Sequence, residues 1–274
     1  MAVSNAEKTA RSPGTVLVTG ASSGIGYELA REFAERGHAL IVCAEDADIE
    51  QAAERLRAAG AERVQAVQED LRRREGVERL WATVTEGGRP LTVAVLNAGV
   101  GQGGPFIEND LDDELGIVEL NITSTLRLAK RVLADMAGRG EGRVLISSSI
   151  AAMMPGSFQA VYNASKSFLQ SFALAVRNEL AGTGVTVTSL MPGPTETEFF
   201  ERADMLDTKV GQSEKDDPVT VARQGYEALL AGKDKVVTGS LKTRAQAAAG
   251  TALPDSAKAQ AHRRMAEPGS GEER

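Results

Sequence analysis

The strongest constraint on this chain is an alternation that runs through most of its length. Short apolar runs of strand length are separated by longer segments with helical periodicity. The strand runs are Thr15–Thr19, Ala39–Cys43, Val64–Gln68, Leu91–Leu96, Arg143–Ser147, Val185–Leu190 and Lys235–Thr238. Helical patterns cover Ile25–Phe33, Ile49–Ala59, Glu75–Glu86, Asp112–Met136, Ala160–Leu180 and Val219–Leu230, with a break expected near Gly116. Strands joined through helices need crossover connections and therefore run parallel. Uninterrupted apolar stretches such as Val93–Leu96 fit burial on both faces. The pattern predicts an α/β domain, doubly wound, with a seven-stranded, mostly parallel sheet and helices on both faces.

No shift in composition divides residues 14–239, which are read as one domain. Residues 240–274 differ: they are rich in Ala and carry Lys242, Arg244, Lys258, Arg263 and Arg264. A short helix is expected near Asp255–Met265, with disorder over the final eight residues. The competing reading has this extension covering the functional site or contacting another subunit. With 31 Lys and Arg against 38 Asp and Glu, the net charge of −7 argues against a nucleic-acid partner. Cys43 is the single cysteine and excludes an intrachain disulfide; with only His38 and His262 beside it, no metal site is expected. Met1–Pro13 lacks the apolar stretch of a signal peptide, and no apolar run suits a membrane span, so a cytoplasmic location is expected.

Between the first strand and first helix lies Thr19-Gly20-Ala21-Ser22-Ser23-Gly24-Ile25-Gly26. Glycines allow a sharp turn and a close backbone approach, and the helix start offers unpaired N–H groups to a pyrophosphate. Glycine clusters also serve plain turns, but the strand before and the helix after favour a nucleotide. The adenosine ribose then falls near the end of the second strand, where Glu45 and Asp46 stand. Carboxylates accept bonds from ribose hydroxyls and repel a 2′-phosphate, which favours NAD while leaving NADP possible. The alternative is that one or both acids simply begin a solvated helix. Tyr162 and Lys166 share a helix face four residues apart, and Ser149 follows the fifth strand, 13 residues before Tyr162. An ammonium group near a phenol stabilises its phenolate and eases proton exchange.

Taken in order, TGASSGIG at 19–26, DL at 70–71, NAG at 97–99, Asn121, SSS at 147–149, YNASK at 162–166 and PGPTET at 192–197 carry a resemblance. The chain resembles the short-chain dehydrogenase/reductase family, across about Val16–Gly239. That resemblance implies a Rossmann-like fold and an NAD(P)-dependent oxidoreductase interconverting a carbonyl and an alcohol. It implies Tyr162 as acid/base, Lys166 as its modulator and ribose ligand, and Ser149 as the bond donor to substrate oxygen. Asn121 is similar to the residue that supports a water chain from Lys166. It further implies cofactor contacts from Gly20, Ser22, Ser23, Gly24, Ile25, Gly26, Asp70, Leu71, Asn97, Ala98 and Gly99. Pro192, Gly193, Thr195 and Thr197 resemble the loop on the nicotinamide side. NAD-preferring members often carry the ribose-binding acid at the position of Ala44, so Glu45 or Asp46 has to substitute here.

Met153, Met154, Phe158, Phe199 and Phe200 suggest a wall for an apolar or bulky small molecule, with Met205 and Leu206 on a mobile helix above it. The long helices at Asp112–Met136 and Ala160–Leu180 resemble those that pair family subunits, implying a homodimer or homotetramer. Two other accounts remain: a hydride-using epimerase or dehydratase, and a nucleotide-binding regulator without turnover.

Overall fold

The computed structural model describes residues 14–250 and 253–271; Met1–Pro13 and the last three residues of the expected tail lie outside the described residues. Seven strands form one sheet: β1 Thr15–Thr19, β2 Ala39–Ala44, β3 Arg63–Gln68, β4 Leu91–Leu96, β5 Gly142–Ser147, β6 Val185–Pro192 and β7 Lys235–Thr238. Their spatial order is β3-β2-β1-β4-β5-β6-β7, and every neighbouring pair is parallel. The crossover helices are α1 Gly24–Ala34, α2 Asp48–Ala58, α3 Arg74–Glu86, then α4 Leu111–Ile117 continuing into α5 Thr125–Arg139, α6 Ala160–Glu179 and α9 Pro218–Leu230. Two one-turn helices, α7 Phe199–Arg202 and α8 Lys209–Gln212, interrupt the β6–α9 connection.

The sheet is covered on both sides because alternate residues of each strand face opposite ways. On β1, Val16 and Val18 join Leu29, Phe33, Leu56 and Leu229 under α1, α2 and α9. Leu17, between them, joins Leu80, Leu128, Val132 and Leu169 under α3, α5 and α6. Helix ends follow local chemistry. The Asp217 carboxylate accepts from the Val219 and Thr220 amides to start α9, with Pro218 at its first turn. Gly37, in left-handed backbone at φ 75°, stops α1.

The structure departs from expectation in three places. The break in the long helix is a π-helical segment, Val118–Ser124, that carries Asn121. The extension begins with a helix the sequence did not announce, α10 Leu241–Gly250, followed by α11 Asp255–Ala266. Residues 267–271, expected to be disordered, form a turn fastened to Asp207: its carboxylate accepts from the Gly269 amide at 2.6 Å and its carbonyl from the Gly271 amide at 2.8 Å. Short-range composition favoured disorder there; hydrogen bonds to a distant loop oppose it.

Candidate active site

Strand order reverses between β1 and β4, and this is where a crevice opens at the carboxyl edge of a parallel sheet. The glycine turn lines one end of a cleft of about 440 Å³. Gly20 and Gly24 adopt φ of 65° and 56°. Gly26 permits the tightest approach: a Cβ there would sit 1.9 Å from the Gly20 carbonyl oxygen and 2.5 Å from Asn97 Nδ2. Asn97 ties three strand ends together. Its Nδ2 donates to the Thr19 and Gly20 carbonyls, and its Oδ1 accepts from Ser147 Oγ at 2.9 Å.

At the end of β2 the two acids separate. Ser22 Oγ donates to Asp46 Oδ2 at 3.0 Å, while Asp46 Oδ1 is buried without a partner among the described residues. Glu45 instead pairs with Arg72. Arg72 also binds Asp70, through Nε at 2.9 Å and its backbone amide at 3.0 Å. Burial raises the Asp70 pKa, but these bonds with Arg72 oppose it, and the net result lies below its ordinary value.

At the opposite end, Ser149, Tyr162 and Lys166 line the same cleft. Lys166 is buried and donates from Nζ to the Ser147 carbonyl at 3.1 Å; no other acceptor receives Nζ among the described residues. Its Nζ lies 5.7 Å from the centre of the Tyr162 ring. Gly99 makes room for it, since a Cβ there would fall 3.1 Å from that Nζ and 3.0 Å from Asn121 Oδ1. Ser149 Oγ accepts from the Ala151 amide at 3.1 Å and donates to the Pro192 carbonyl at 3.3 Å, a long bond for a hydroxyl.

Asn121 is fully buried and uses both its donors: Oδ1 accepts from the Val100 amide, and Nδ2 donates to the Val100 carbonyl and to Ser165 Oγ, all at 2.9 Å. Ser165 in turn donates to the Tyr162 carbonyl at 2.7 Å. This chain of bonds anchors the first turn of α6 to the β4 loop. Burial lowers the Lys166 pKa to about 8 and raises that of Tyr162 to about 12, the latter opposed by the adjacent Ser149 hydroxyl. The Tyr162 shift runs opposite to the one expected of an ammonium neighbour, because desolvation outweighs the Ser149 bond. One side of Tyr162 faces the open cleft and is only half-buried, which tempers the effect.

The family model for short chain dehydrogenases matches residues 14–205. The chain is a member of the short-chain dehydrogenase/reductase family. It is 37% identical over 190 residues to serine 3-dehydrogenase of Agrobacterium fabrum, covering 68% of this chain and 74% of that protein. It is also similar to a short-chain dehydrogenase from Sphingobium yanoikuyae solved with NADPH, at 29% identity and TM-score 0.76, covering 86% and 92% of the two chains. A family member from Burkholderia phymatum solved with NAD shares the fold at TM-score 0.80 and 23% identity, covering 88% and 92%.

In this short-chain dehydrogenase the cleft gathers nearly every residue singled out in the sequence. Gly20, Ser22, Ser23, Gly24, Ile25 and Gly26 line it together with Glu45, Asp46, Leu71, Asn97, Ala98 and Gly99. Pro192, Gly193, Thr195 and Thr197 line its other side. Asp70 and Asn121 do not: one is turned to Arg72, the other is enclosed behind Val100. Of the apolar wall, Met154, Phe199 and Phe200 reach the cleft, whereas Met153 and Phe158 do not; Phe158 packs against the cluster of Phe200, Ala203 and Met205, and Met205 is buried between α7 and α8. Leu206 is exposed. Sequence reasoning missed Ala247, Ala261, His262, Met265 and Ala266, which the extension brings to the cleft. The alternative that the extension covers the functional site, and the helix expected at Asp255–Met265, pointed to this segment without naming those residues.

Proposed function

We propose that this dehydrogenase interconverts a carbonyl compound and its alcohol with a nicotinamide dinucleotide, NAD in preference to NADP, through Ser149, Tyr162 and Lys166. The residues fit such a dinucleotide. The glycine cradle excludes side chains where a pyrophosphate needs backbone contact. Asp46 Oδ1 offers a buried, unpartnered acceptor to a ribose hydroxyl and would repel a phosphate in its place. Glu45, held by Arg72, is the less suitable of the two acids for that role. Lys166, with one donor on Ser147, keeps further N–H groups for the second ribose. When bound, the nicotinamide ring gives or takes the hydride.

The protein's own work is proton transfer and charge stabilisation. Reduction leaves negative charge on the substrate oxygen. The weakly held Ser149 hydroxyl turns from Pro192 to that oxygen, and Tyr162 delivers its proton there. Lys166 offsets the phenolate that remains. Asn121, with both side-chain donors committed to Val100 and Ser165, is assigned the positioning of α6. Residues 14–239 then form the catalytic domain, and the extension from 240 onward closes it over an apolar or bulky small molecule. Exposed Leu111, Leu115 and Phe168 on α4 and α6 support pairing of copies into a homodimer or homotetramer. Among the described residues no helix is long and apolar enough to cross a membrane. A cytoplasmic location belongs to the same proposal.

One observation carries the reading: the Ser149, Tyr162 and Lys166 side chains share a single cleft with the glycine turn. Tyr162→Phe tests it, since the ring stays and the proton donor goes. Steady-state assays of carbonyl reduction should show kcat reduced about 10³-fold, with NADH affinity preserved in a fluorescence titration. Normal turnover in the variant would reject the role.

A further inference from the structure

The extension is fastened to the loop that leads into the catalytic helix. Ser157 Oγ donates to the Ala259 carbonyl at 3.1 Å, and the Ser157 carbonyl lies 2.9 Å from His262 Nδ1. The Arg263 guanidinium stands 5.1 Å over the Phe158 ring. Phe158 itself holds a φ of 64°, rare for a bulky residue and sustained only where its surroundings demand it. Below this contact Ala266 packs with Phe200, Ala203 and Met205.

A carbonyl oxygen only accepts, so Nδ1 must carry the proton and donate to Ser157. That fixes the tautomer. In the neutral ring Nε2 is then a bare acceptor, with no partner among the described residues. Burial keeps the His262 pKa below its ordinary value, against the opposing effect of the Ser157 bond, so this neutral form is the one present near neutrality. The ring lines the cleft that also holds Tyr162, Met154 and Phe199, and the wall of that cleft is largely apolar.

We infer that His262 is a specificity-determining residue: its Nε2 accepts a hydrogen bond from a second polar group of the substrate, a hydroxyl, at a carbon remote from the reacting carbonyl. The inference rests on the oxidoreductase reading and narrows the substrate class to hydroxylated ketones. An acceptor left without a partner in an apolar cleft disfavours a plain hydrocarbon tail and favours a tail with a donor. Arg263 and Ser157 hold α11 in place and are positioning residues.

The test compares an aliphatic ketone with the same ketone hydroxylated at successive carbons along its chain. With the full-length protein and NADH, kcat/KM for the best hydroxyketone should exceed that of the parent ketone about tenfold. In His262→Phe, which keeps ring volume and loses the acceptor, that ratio should fall to near unity. His262→Gln, which restores an acceptor, should recover part of it. Calorimetric binding of the matching diol and mono-alcohol to the protein–NAD complex gives the same comparison without turnover. Turnover with an unchanged ratio in His262→Phe overturns the inference and leaves the oxidoreductase reading standing. A diol preference that vanishes in His262→Phe supports it even where turnover is lacking, in which case the oxidoreductase reading fails alone. Equal losses for every substrate would mark His262 as merely structural and also overturn it.

Discussion

The two ends of the cleft are built on different principles. The nucleotide end is made of backbone and of residues close together in sequence, such as Gly20 and Gly26, wedged against Asn97 and Ala98 at the end of the adjacent strand. The reaction end depends on segments far apart: Ser157 meets Ala259 and His262, and Asp207 meets Gly269 and Gly271. The first end cannot change without rebuilding the sheet edge. The second is a lid of side-chain and backbone contacts laid over a finished domain. The former should therefore tolerate little and the latter much, and selectivity for substrate should reside where tolerance is greater.

Substitution at Gly26 presses this contrast hardest. In Gly26→Ala the new methyl must displace both the Gly20 carbonyl, which is backbone, and the Asn97 side-chain amide, which is held by its bonds to Thr19, Gly20 and Ser147. The expected cost is about 3 kcal/mol in chemical unfolding, together with a loss of NADH affinity. A fully stable variant that binds NADH normally would mean that the turn is looser than its geometry requires.

The same contrast explains what could be read in advance. The seven strands and the glycine turn follow from local periodicity and contiguous motifs, which is why Thr15–Thr19 and Gly20–Gly26 were legible. Glu45 and Asp46 are adjacent and chemically alike; only the fold distinguishes them, by bringing Arg72 to Glu45 and Ser22 to Asp46. Asn121 could be singled out in the sequence, but not the π-helical segment that carries it, because no short pattern encodes a widened turn. In the extension the helix at Asp255–Ala266 was legible, but the helix before it and its attachment to the domain were not. Its composition is that of a tail, and its order comes from partners some hundred residues away, as with Ser157 and His262.

Lys166 sits at the reaction end beside Tyr162, and its burial makes a prediction about pH. Its folded pKa of about 8 lies below the ordinary 10.5, so between these values the unfolded chain binds the extra proton and stability rises with pH. Tyr162, raised to about 12, works the other way above about pH 10, where the unfolded phenol ionises first. Comparing Lys166→Met with wild type isolates the lysine. Between about pH 8 and 10.5 wild type should gain roughly 2–3 kcal/mol relative to the variant, read from denaturant midpoints at each pH. A constant difference would show that Lys166 is solvated in the folded protein.

A smaller effect is expected from Asp46→Asn at the nucleotide end. The amide removes the charge but keeps an oxygen that can accept from Ser22. NADH affinity should fall about tenfold while NADPH affinity holds or rises, narrowing the preference between them. Parallel titrations decide it; an undiminished preference for NADH would transfer the discriminating role away from Asp46.

The smallest effect tests the lid itself. Ser157→Ala deletes the hydroxyl that donates to the Ala259 carbonyl and leaves the Ser157 carbonyl, and so the His262 contact, in place. One partly buried hydrogen bond contributes about 1 kcal/mol, equivalent to roughly fivefold in a local opening equilibrium. Amide exchange in α11 should accelerate by that factor, while the amides of β1 and α1 keep their wild-type protection. If exchange accelerates at both ends together, the lid and the domain open as one unit and the distinction between them fails. If α11 is unaffected, its attachment rests on Ala266 and the Asp207 contacts, and the opening of the cleft must be sought at the other edge of the helix.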